Sequence, residues 1–235
     1  MAGSREPDAS VRGDALACGS AGRLGGRGGH RTARRGGARG GGYGEGVGAE
    51  RTRQRILEAA TEEFAAHGLA GARVDRIAAR SGMSKPMLYS HFGAKERLFD
   101  AVFDAHVLAN AQRVPFTAAD PADYARRLYD DYLADPALMR LVMWKRLEQE
   151  PDGYLYAGNE GIDEANLADI AEQQRAGLLR PDLDPADLWT LLIATAAAWA
   201  QGSVTTVADP GDPDPVHQRR RAALGQVVDA ALRLR

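Results

Sequence analysis

The chain has 235 residues, of which 44% are hydrophobic and 26% charged, a composition typical of one large or two small globular domains. The formal net charge is only −2 but is unevenly distributed. Residues 1–49 hold eight Arg against four acidic residues, residues 50–98 nine Lys or Arg against six, and residues 99–235 thirteen against twenty-two. A basic N-terminal part and an acidic C-terminal part favour a protein that presents one end to a polyanion.

The same totals exclude several classes of protein. No apolar run approaches the ~20 residues that a membrane-spanning helix needs, and the N-terminus lacks the apolar core of a secretory signal. Cys18 is the only cysteine, so no intramolecular disulfide can form. The five histidines are not spaced as helical metal ligands are. We therefore expect a cytoplasmic protein with no metal and no cofactor.

Residues 1–49 are a low-complexity segment with sixteen Gly and eight Arg. They hold too few apolar residues for a core, so the sequence predicts a disordered tail. Three interpretations stay open. The tail is a basic arm that attracts phosphates, an Arg/Gly-rich RNA-binding tail, or no part of the native protein. The last follows from 27 Arg against 3 Lys, which indicate a GC-rich genome and allow a GTG start at Val47.

Helical periodicity begins at about Ala49. In the first helix Ile56, Ala60 and Phe64 recur at four-residue intervals, which predicts one apolar face. Gly68 is expected to end this helix, because Gly is favoured just past a helix C-terminus. Three further helices are predicted in this half of the chain, over residues 74–80, 85–91 and 95–113.

Asp-Pro pairs indicate three later helices. In each pair an N-capping carboxylate precedes a Pro at the first helical position, where no backbone donor is needed. A helix is also predicted over residues 163–174, another over about 187–207, and a last one from Asp214 to the C-terminus. No segment alternates as a strand does, so the predicted fold class is all-α. The pairs are Asp120-Pro121, Asp135-Pro136 and Asp184-Pro185.

The second and third helices form a helix-turn-helix pattern. Gly82 lies in a tight turn between them, where a positive φ is required. Ser84 can cap the third helix, and Pro86 is tolerated in its first turn. In proteins of this pattern the N-terminal end of the second of the two helices meets base edges in the DNA major groove. A small core is supplied by Ile77, Ala78, Met83, Leu88 and Phe92.

The N-terminal end of the third helix carries side chains suited to reading bases. Lys85 can donate to guanine O6 or N7, and Pro86 and Met87 can contact a thymine methyl group. An ordinary surface charge is the alternative for Lys85. However, the chain has only three Lys, and two of them lie in this motif.

Phosphate contacts are predicted around the same helix. Tyr89, Ser90 and His91 have polar tips that can donate to phosphates. Lys95, at the start of the fourth helix, can reach another phosphate beside the N–H groups of that helix. Packing or a solvated surface position is the alternative for Tyr89 and His91. The complete predicted DNA-binding set is Arg73, Arg76, Ser84, Lys85, Pro86, Met87, Tyr89, Ser90, His91 and Lys95.

Residues 51–99 resemble the DNA-binding domain of the TetR family of bacterial regulators. The resemblance implies an N-terminal three-helix DNA-binding domain at 50–98 and a helical effector-binding and dimerisation domain at 99–235. It also implies that Tyr89, His91 and Lys95 contact phosphates. The residues that carry it are Ile56-Leu57-Glu58-Ala59-Ala60, Phe64, Gly68, Ile77-Ala78, Gly82-Met83-Ser84-Lys85, Leu88-Tyr89, His91-Phe92, Lys95-Glu96 and Leu98.

One departure from the family concerns the start of the second helix. The family usually has Ser or Thr before the Val that opens this helix, whereas this chain has Ala72-Arg73. The hydroxyl that caps the helix and touches a phosphate is therefore missing. Arg73 can replace the phosphate contact but not the cap, which leaves the exact start of the helix open.

The C-terminal part carries little family-specific sequence. The resemblance implies dimerisation through its last two helices, although their apolar faces can alternatively pack within one chain. The dimer-interface candidates are Leu191, Leu192, Thr195, Trp199, Leu224, Val228 and Ala231.

The resemblance also implies a cavity for a small, largely apolar effector. Residues 138–144 are apolar nearly all round, which predicts a central helix. Met adapts to varied ligand shapes, and pockets of this type hold few polar anchors. Plain core packing is the alternative for each residue. The candidates are Phe103, His106, Tyr129, Tyr132, Met143, Trp144 and Trp189.

The sequence thus predicts a homodimeric transcriptional repressor that a small effector releases from a palindromic operator, with the fourth helix as the lever. An effector-independent architectural or nucleoid-associated DNA-binding protein is the alternative, and RNA binding through the tail is a third reading. The sequence shows no nucleophile elbow, metal-ligand spacing or phosphate-cradling Gly loop, so no enzymatic activity is predicted.

Overall fold

The computed structural model describes residues 42–156 and 160–234, and these ranges contain nine α-helices. Within them the only β-type pairing is an isolated antiparallel bridge between Leu179 and Arg233. The predicted all-α fold class is confirmed. In chain order the helices are α1 Gly42–Gly71, α2 Val74–Ser81, α3 Lys85–Phe92, α4 Lys95–Arg113, α5 Pro121–Ala134, α6 Pro136–Glu148, α7 Glu160–Arg175, α8 Pro185–Ala196 and α9 Asp214–Leu232.

The first helix starts earlier than the sequence predicts. α1 begins at Gly42, whereas a disordered tail was expected up to residue 49. The rest of that predicted tail lies outside the described residues. Once a helix is nucleated, each added residue gains a hydrogen bond, and this offsets the poor helix propensity of Gly. At the other end, Gly68 has φ +67° and ψ −175°, which interrupts the helix where the sequence predicts its end.

The predicted helix-turn-helix is formed by α2 and α3. Gly82 adopts the left-handed conformation, with φ +68°, that the turn between these helices requires. The Ser84 hydroxyl accepts a hydrogen bond from the Met87 N–H at 3.4 Å and caps α3. Ile77 and Leu88 are 1% and 2% exposed and belong to the same core as the apolar face of α1.

A buried carboxylate from α1 holds the start of α2. Arg73 occupies the N-cap position but makes no side-chain cap hydrogen bond. Instead Glu63, only 3% exposed, accepts the Arg73 N–H at 2.8 Å. The two Glu63 oxygens also accept the Arg76 Nε–H at 2.8 and 3.0 Å. Burial acts to raise the pKa of Glu63, but the hydrogen bonds from Arg76 and Arg73 outweigh it and hold the pKa below its ordinary value. This ion pair attaches the start of α2 to α1 but does not accept the N–H groups that a hydroxyl cap would accept.

A second core fills the C-terminal part. It lies between α5, α7, α8 and α9 and contains Leu128, Ile170, Leu188 and Val228. α6 contributes to the other core instead, because its Leu141 packs in the cluster formed by the first four helices. α6 therefore connects the DNA-binding part of the chain to the C-terminal part.

Two of the three Asp-Pro pairs cap helices as predicted. Asp120 accepts the Asp123 N–H at 3.1 Å, and Asp184 accepts the Ala186 N–H at 2.8 Å. Asp135 also occupies an N-cap position, but its side chain makes no cap hydrogen bond, so the prediction is wrong there.

The Asp135 carboxylate is turned towards α4. Its Oδ2 lies 3.0 Å from His106 Nδ1 and accepts a hydrogen bond from Arg113 Nη2 at 3.1 Å. The His106 hydrogen bond is the main cause that lowers the pKa of Asp135. Charged or polar donors on α4 thus outcompete the backbone amide that a capping carboxylate usually binds.

α8 is shorter than predicted. We expected a helix over about 187–207, but α8 ends at Ala196, and Gly202 adopts φ +102° in the irregular segment that follows. Residues 197, 198 and 200 are Ala, which favours a helix, so local helix propensity does not explain the early end. The Trp199 ring instead packs edge-on against Tyr129, with centroids 6.1 Å apart, and its carbonyl accepts the Ala208 N–H at 2.8 Å.

The Glu63 ion pair yields a stability prediction. We expect Glu63→Ala to lower the free energy of unfolding by roughly 2 kcal/mol, because it leaves the Arg73 N–H and the Arg76 guanidinium without their buried carboxylate partner. Glu62→Ala is the matched control. Glu62 also pairs with an arginine of α2, Arg80, but both side chains are exposed. We expect that variant to lose at most about 0.5 kcal/mol.

The measurement is urea denaturation followed by circular dichroism at one fixed protein concentration. The Glu63 contribution is present above the ordinary pKa of 4.5 and is lost as the pH falls through the lower folded value. The gap between wild type and Glu63→Ala must therefore narrow in acid. Equal losses for the two variants at neutral pH would contradict a special role for Glu63.

Candidate nucleic-acid interface and effector cavity

α3 presents one face to the core and the rest to solvent. Leu88 and Phe92 are 2% and 9% exposed and anchor the helix. Met87 and Tyr89 are among the exposed large side chains of the chain. The remaining predicted contact residues of α3 are exposed as well, so the whole predicted set on this helix shares one accessible surface. These exposed residues are Lys85, Pro86, Met87, Tyr89, Ser90 and His91.

A concave recess of about 490 Å³ lies where the N-terminal ends of α2 and α4 approach α3. We call it the anion recess. Ala94 occupies the N-cap of α4 and makes no side-chain cap hydrogen bond. The first N–H groups of α4 are therefore available to an anion. The charged and hydroxyl-bearing residues that line the recess are Arg73, Asp75, Lys85, Tyr89, Lys95 and Glu96.

Both lysines of the recess already have partners within the chain. Lys85 Nζ lies 3.0 Å from Asp75 Oδ1, and the hydrogen bond with Asp75 raises the pKa of Lys85. Lys95 Nζ donates to the Ala72 carbonyl at 3.3 Å and to the Ala70 carbonyl at 3.5 Å, beside the end of α1. An ammonium group has three donors, so each lysine retains the capacity to bind a phosphate or a base.

The two arginines of the predicted DNA-binding set differ in their surroundings. The Arg76 guanidinium is committed to Glu63, which gives it a structural role that the sequence reading missed. Arg73 is exposed, and no other residue in the described ranges pairs with its guanidinium. Ser84 is engaged as the cap of α3.

Sequence reasoning overlooked two arginines of α1. The Arg53 guanidinium lies over the Phe92 ring at 5.6 Å from its centroid, which places it beside α3. Arg55 approaches the turn at Gly82, where an added Cβ would meet its Nη2 at 3.0 Å. The alternating run Arg51, Arg53 and Arg55 was a signal in the sequence, but only the packing of α1 against α3 shows which of these residues approach the motif.

A cavity of about 370 Å³ lies between α4, α5, α7 and α8. It contains two of the predicted cavity residues, Tyr132 and Trp189. Tyr124 and Trp189 stack with ring centroids 5.8 Å apart, and Phe116 meets both edge-on at 4.9 Å. We call this cavity the aromatic pocket. Its aromatic lining is Phe116, Tyr124, Tyr132, Tyr154, Tyr156 and Trp189.

A larger cavity of about 660 Å³ lies between α1 and the C-terminal helices. We call it the junction cavity. The predicted residue Tyr129 lines it, and Tyr132 lines both cavities. The α1 residues Thr61 and Ala65 form one wall, so this cavity directly borders the DNA-binding part of the chain.

Four predicted cavity residues lie outside these two cavities. Phe103 is 1% exposed and stacks on Tyr156 in the first core. Trp144 packs under Gly68 and donates its indole N–H to the Ala65 carbonyl at 3.3 Å. A helix that is apolar nearly all round does not reveal in sequence which side faces a cavity, and this helix packs on α1.

The other two of these residues lie nearer the surface. Met143 is 39% exposed, and its sulfur lies beside Gly202. His106 lies 3.2 Å from the Thr61 hydroxyl and 3.0 Å from Asp135, so its ring nitrogens are occupied. The prediction that Phe103, His106, Met143 and Trp144 line the effector cavity is not supported by this arrangement.

The predicted dimer residues divide between two faces of α8 and α9. Leu192, Leu224 and Val228 are at most 2% exposed and pack inside their own chain. Trp199 lies beyond the end of α8. Both helices are rich in apolar residues, so the periodicity did not separate the inward from the outward side.

The outward side of α8 and α9 is also apolar. Leu191 and Val227 are 53% and 55% exposed. Ala231 is exposed, and Thr195, whose hydroxyl donates to the Leu191 carbonyl, lies at the edge of this face. We call it the α8–α9 face, and its other exposed apolar members are Ala194 and Ala230, with the exposed polar residues Thr190 and Gln226 beside them.

No group of three or more His, Cys, Asp or Glu residues in the described ranges is arranged to hold a metal ion. None of the helices in these ranges combines the length and the hydropathy needed to cross a bilayer.

The fold and the exposed α3 define a helix-turn-helix DNA-binding protein with an appended helical domain. Comparison with known sequences gives the family. Residues 56–102 match the family described as "Bacterial regulatory proteins, tetR family", and residues 120–230 match "Tetracyclin repressor-like, C-terminal domain". The chain belongs to the TetR family of transcriptional regulators.

Individual relatives agree with this assignment. The chain is 36% identical over 152 residues to the HTH-type transcriptional repressor SCO4008 of Streptomyces coelicolor, a match that covers 64% of this chain and 79% of the relative. It is 31% identical over 144 residues to the repressor NicS of Pseudomonas putida, covering 58% and 63%. The crystal structure of SCO4942 from Streptomyces coelicolor superposes with a TM-score of 0.64 at 40% identity, covering 76% of this chain and 97% of that one. The protein is a DNA-binding transcriptional regulator.

The Lys85–Asp75 pair yields a prediction for DNA binding. We expect Asp75→Asn to bind a mixed-sequence duplex about threefold to tenfold more tightly at low salt, because it frees Lys85 and removes a negative charge beside the phosphates. Asp100→Asn is the matched control, since Asp100 pairs with Lys145 at 3.0 Å outside the helix-turn-helix. Fluorescence anisotropy measures both. An unchanged affinity for Asp75→Asn would show that Lys85 does not face the DNA.

Proposed function

We propose that the protein is a homodimeric repressor that inserts α3 of each subunit into the major groove of a palindromic operator and is released by a small-molecule effector. The observation that carries the proposal is the surface of α3. Six consecutive or near-consecutive positions between Lys85 and His91 are exposed, while Leu88 and Phe92 fix the helix from behind. This is the arrangement of a recognition helix.

Each part of this surface has a proposed role. Lys85, Pro86 and Met87 read base edges from the N-terminal end of α3. Tyr89 and Lys95 bind a phosphate in the anion recess, where the N–H groups of α4 add further donors.

Other residues extend the phosphate contacts or support them. Ser90 and His91 contact the backbone on the far side of α3, and Arg73 adds a charge at the start of α2. Arg76 acts as a positioning residue through Glu63 rather than as a DNA contact.

Dimerisation is proposed to use the α8–α9 face. Two copies of this face form a four-helix contact in which the Ala residues allow close approach. Exposed Leu191 and Val227 supply the apolar side chains that such a contact buries. A two-fold axis here sets the two α3 helices about 34 Å apart, one turn of DNA.

Effector binding is proposed in the aromatic pocket, and α4 connects this pocket to the DNA-binding surface. α4 contributes Val107 and Asn110 to the pocket and begins at Lys95 in the anion recess. A ligand that favours one position of α4 over another therefore shifts the DNA-binding equilibrium by the difference in its affinities.

α6 supplies a second connection, from the junction cavity, which its Pro136, Ala137 and Arg140 line, to the DNA-binding part at its C-terminal end. Glu148 Oε2 accepts the N–H groups of Leu69 and Ala70 at 2.6 and 3.0 Å, and Trp144 packs under Gly68. These contacts bind α6 to the turn that precedes α2, beside the carbonyls to which Lys95 donates. We infer that α4 and α6 move this turn together.

The test of DNA recognition is in vitro selection of random duplexes with the full chain. We expect enrichment of a palindrome with two half-sites, which also supplies the operator for an effector screen. If no sequence is enriched even at low salt, specific recognition is ruled out and the effector-independent architectural reading takes its place.

The three lysines of the chain provide a matched set of variants for that assay. We expect Lys85→Ala to relax the base preference at one position of each half-site, at a cost of about 1–3 kcal/mol for the preferred duplex. Lys95→Ala should weaken all duplexes alike and reduce the salt slope by about one ion. Lys145 lies outside the proposed interface, so Lys145→Ala should change neither the base preference nor the salt slope. An unaltered base preference for Lys85→Ala would contradict its base-reading role.

The dimer face can be tested by adding one charge. We expect Leu191→Glu to convert the dimer to a monomer and to abolish two-half-site binding, because a carboxylate would be buried against apolar side chains. Leu147→Glu is the control, since Leu147 is 70% exposed on α6 and lies outside the proposed contact. Size-exclusion chromatography with light scattering gives the oligomeric state. If the Leu191→Glu variant remains a dimer, the dimer interface does not lie on the α8–α9 face.

A further inference from the structure

We propose that the aromatic pocket binds a monovalent organic cation, a quaternary or protonated amine with apolar substituents, between its aromatic rings and the carboxylate of Asp163. The proposal rests on the effector role proposed for this pocket and names the chemistry of its ligand.

The lining of the pocket is suited to a cation with apolar substituents. Six of its side chains are aromatic, and the volume of about 370 Å³ accommodates a small organic molecule. Aromatic ring faces carry partial negative charge and attract cations, most strongly where water is excluded. Trp189 is one of the lining residues, and Trp faces bind cations best of the three aromatic types.

The charged side chains that line the pocket have one sign. Asp163 is the only ionisable acidic residue among the described residues that line it, and no Lys, Arg or His is among them. The Tyr154 hydroxyl donates to Asp163 Oδ2 at 2.6 Å, which orients the carboxylate. Two basic groups act on rings of the lining without lining the pocket themselves. The Arg127 guanidinium lies 5.7 Å from the Tyr124 ring centroid and is paired with Asp123 at 2.7 Å. Arg146 acts to lower the pKa of Tyr156, but burial outweighs it.

The tyrosines do not supply a competing negative charge. Burial raises the pKa of Tyr132, Tyr124 and Tyr156 above the ordinary value, so their hydroxyls stay neutral at physiological pH. The full negative charge at the pocket is therefore that of Asp163. The hydroxyls remain able to orient polar substituents of a ligand.

Other ligand charges fit less well. An anion would meet Asp163 without any basic partner in the described lining. A neutral ligand would remove water from Asp163 and supply no charge in exchange, which is a net cost. A cation replaces the lost water with a charge of opposite sign.

The test compares two ligands of the same shape. Acetylcholine and 3,3-dimethylbutyl acetate differ only in that a quaternary nitrogen replaces a quaternary carbon. Isothermal titration calorimetry with the full chain should give at least about tenfold tighter binding of the cation. Equal affinities, or tighter binding of the neutral ester, would overturn the proposal.

A pair of variants locates the effect. Asp163→Asn keeps the shape and the hydrogen bond from Tyr154 but removes the charge. It should weaken acetylcholine binding by about tenfold and leave the neutral ester unchanged. Glu164→Gln is the control, because Glu164 is exposed on the same helix and does not line the pocket. Equal effects of the two variants would overturn the assignment to Asp163.

The same experiments separate this proposal from the effector role itself. If neither acetylcholine nor benzyltrimethylammonium binds, while a neutral or anionic compound releases the selected DNA, the cation proposal is overturned and the effector role stands. If the cations bind as expected but no compound releases DNA, the ligand chemistry is supported and the effector role fails.

Discussion

The geometry of the DNA-binding surface depends on one buried carboxylate. Glu63 of α1 accepts the N–H of Arg73 and the guanidinium of Arg76, and so attaches the start of α2 to the first helix. The chain has no hydroxyl cap at this position, so no local interaction can replace the contact. Since α3 follows α2 through a tight turn at Gly82, the orientation of the recognition helix is fixed through this ion pair and the core beneath it.

The same region connects DNA binding to the C-terminal helices. The turn after Gly68 is held from one side by Glu148 and Trp144 of α6 and from another by Lys95 of α4. Both helices lead away from the DNA towards the two cavities, which share Tyr132 as a common wall. A small change in the packing of α5 can therefore alter the DNA-binding surface through α4 and through α6.

Sequence reasoning succeeded where structure is set by neighbouring residues. The bounds of α2, α3 and α4, the turn at Gly82 and the cap at Ser84 all follow from local pattern and agree with the structure. The DNA-binding site was harder to predict from the sequence. The sequence predicts a DNA contact for Arg76, and the pairing with Glu63, thirteen residues away on another helix, is visible only in the structure.

The wrong predictions at Asp135 and α8 also concern contacts between residues that are distant in the sequence. The Asp135 side chain makes no cap hydrogen bond and contacts donors on α4 instead. α8 ends before Trp199, whose ring packs against Tyr129 of α5. On α8 and α9 an apolar stripe predicts burial, but it does not say whether the partner is the same chain or a second copy.

The central claim is that two copies of α3, held by one dimer, read one turn of DNA. Hydroxyl-radical footprinting of the selected duplex tests it most directly, because the reagent reports protected sugars on each strand. The account predicts two protected regions related by two-fold symmetry, with centres about 10 base pairs apart or a whole number of turns apart. A single protected region, or uniform protection without a boundary, would contradict it.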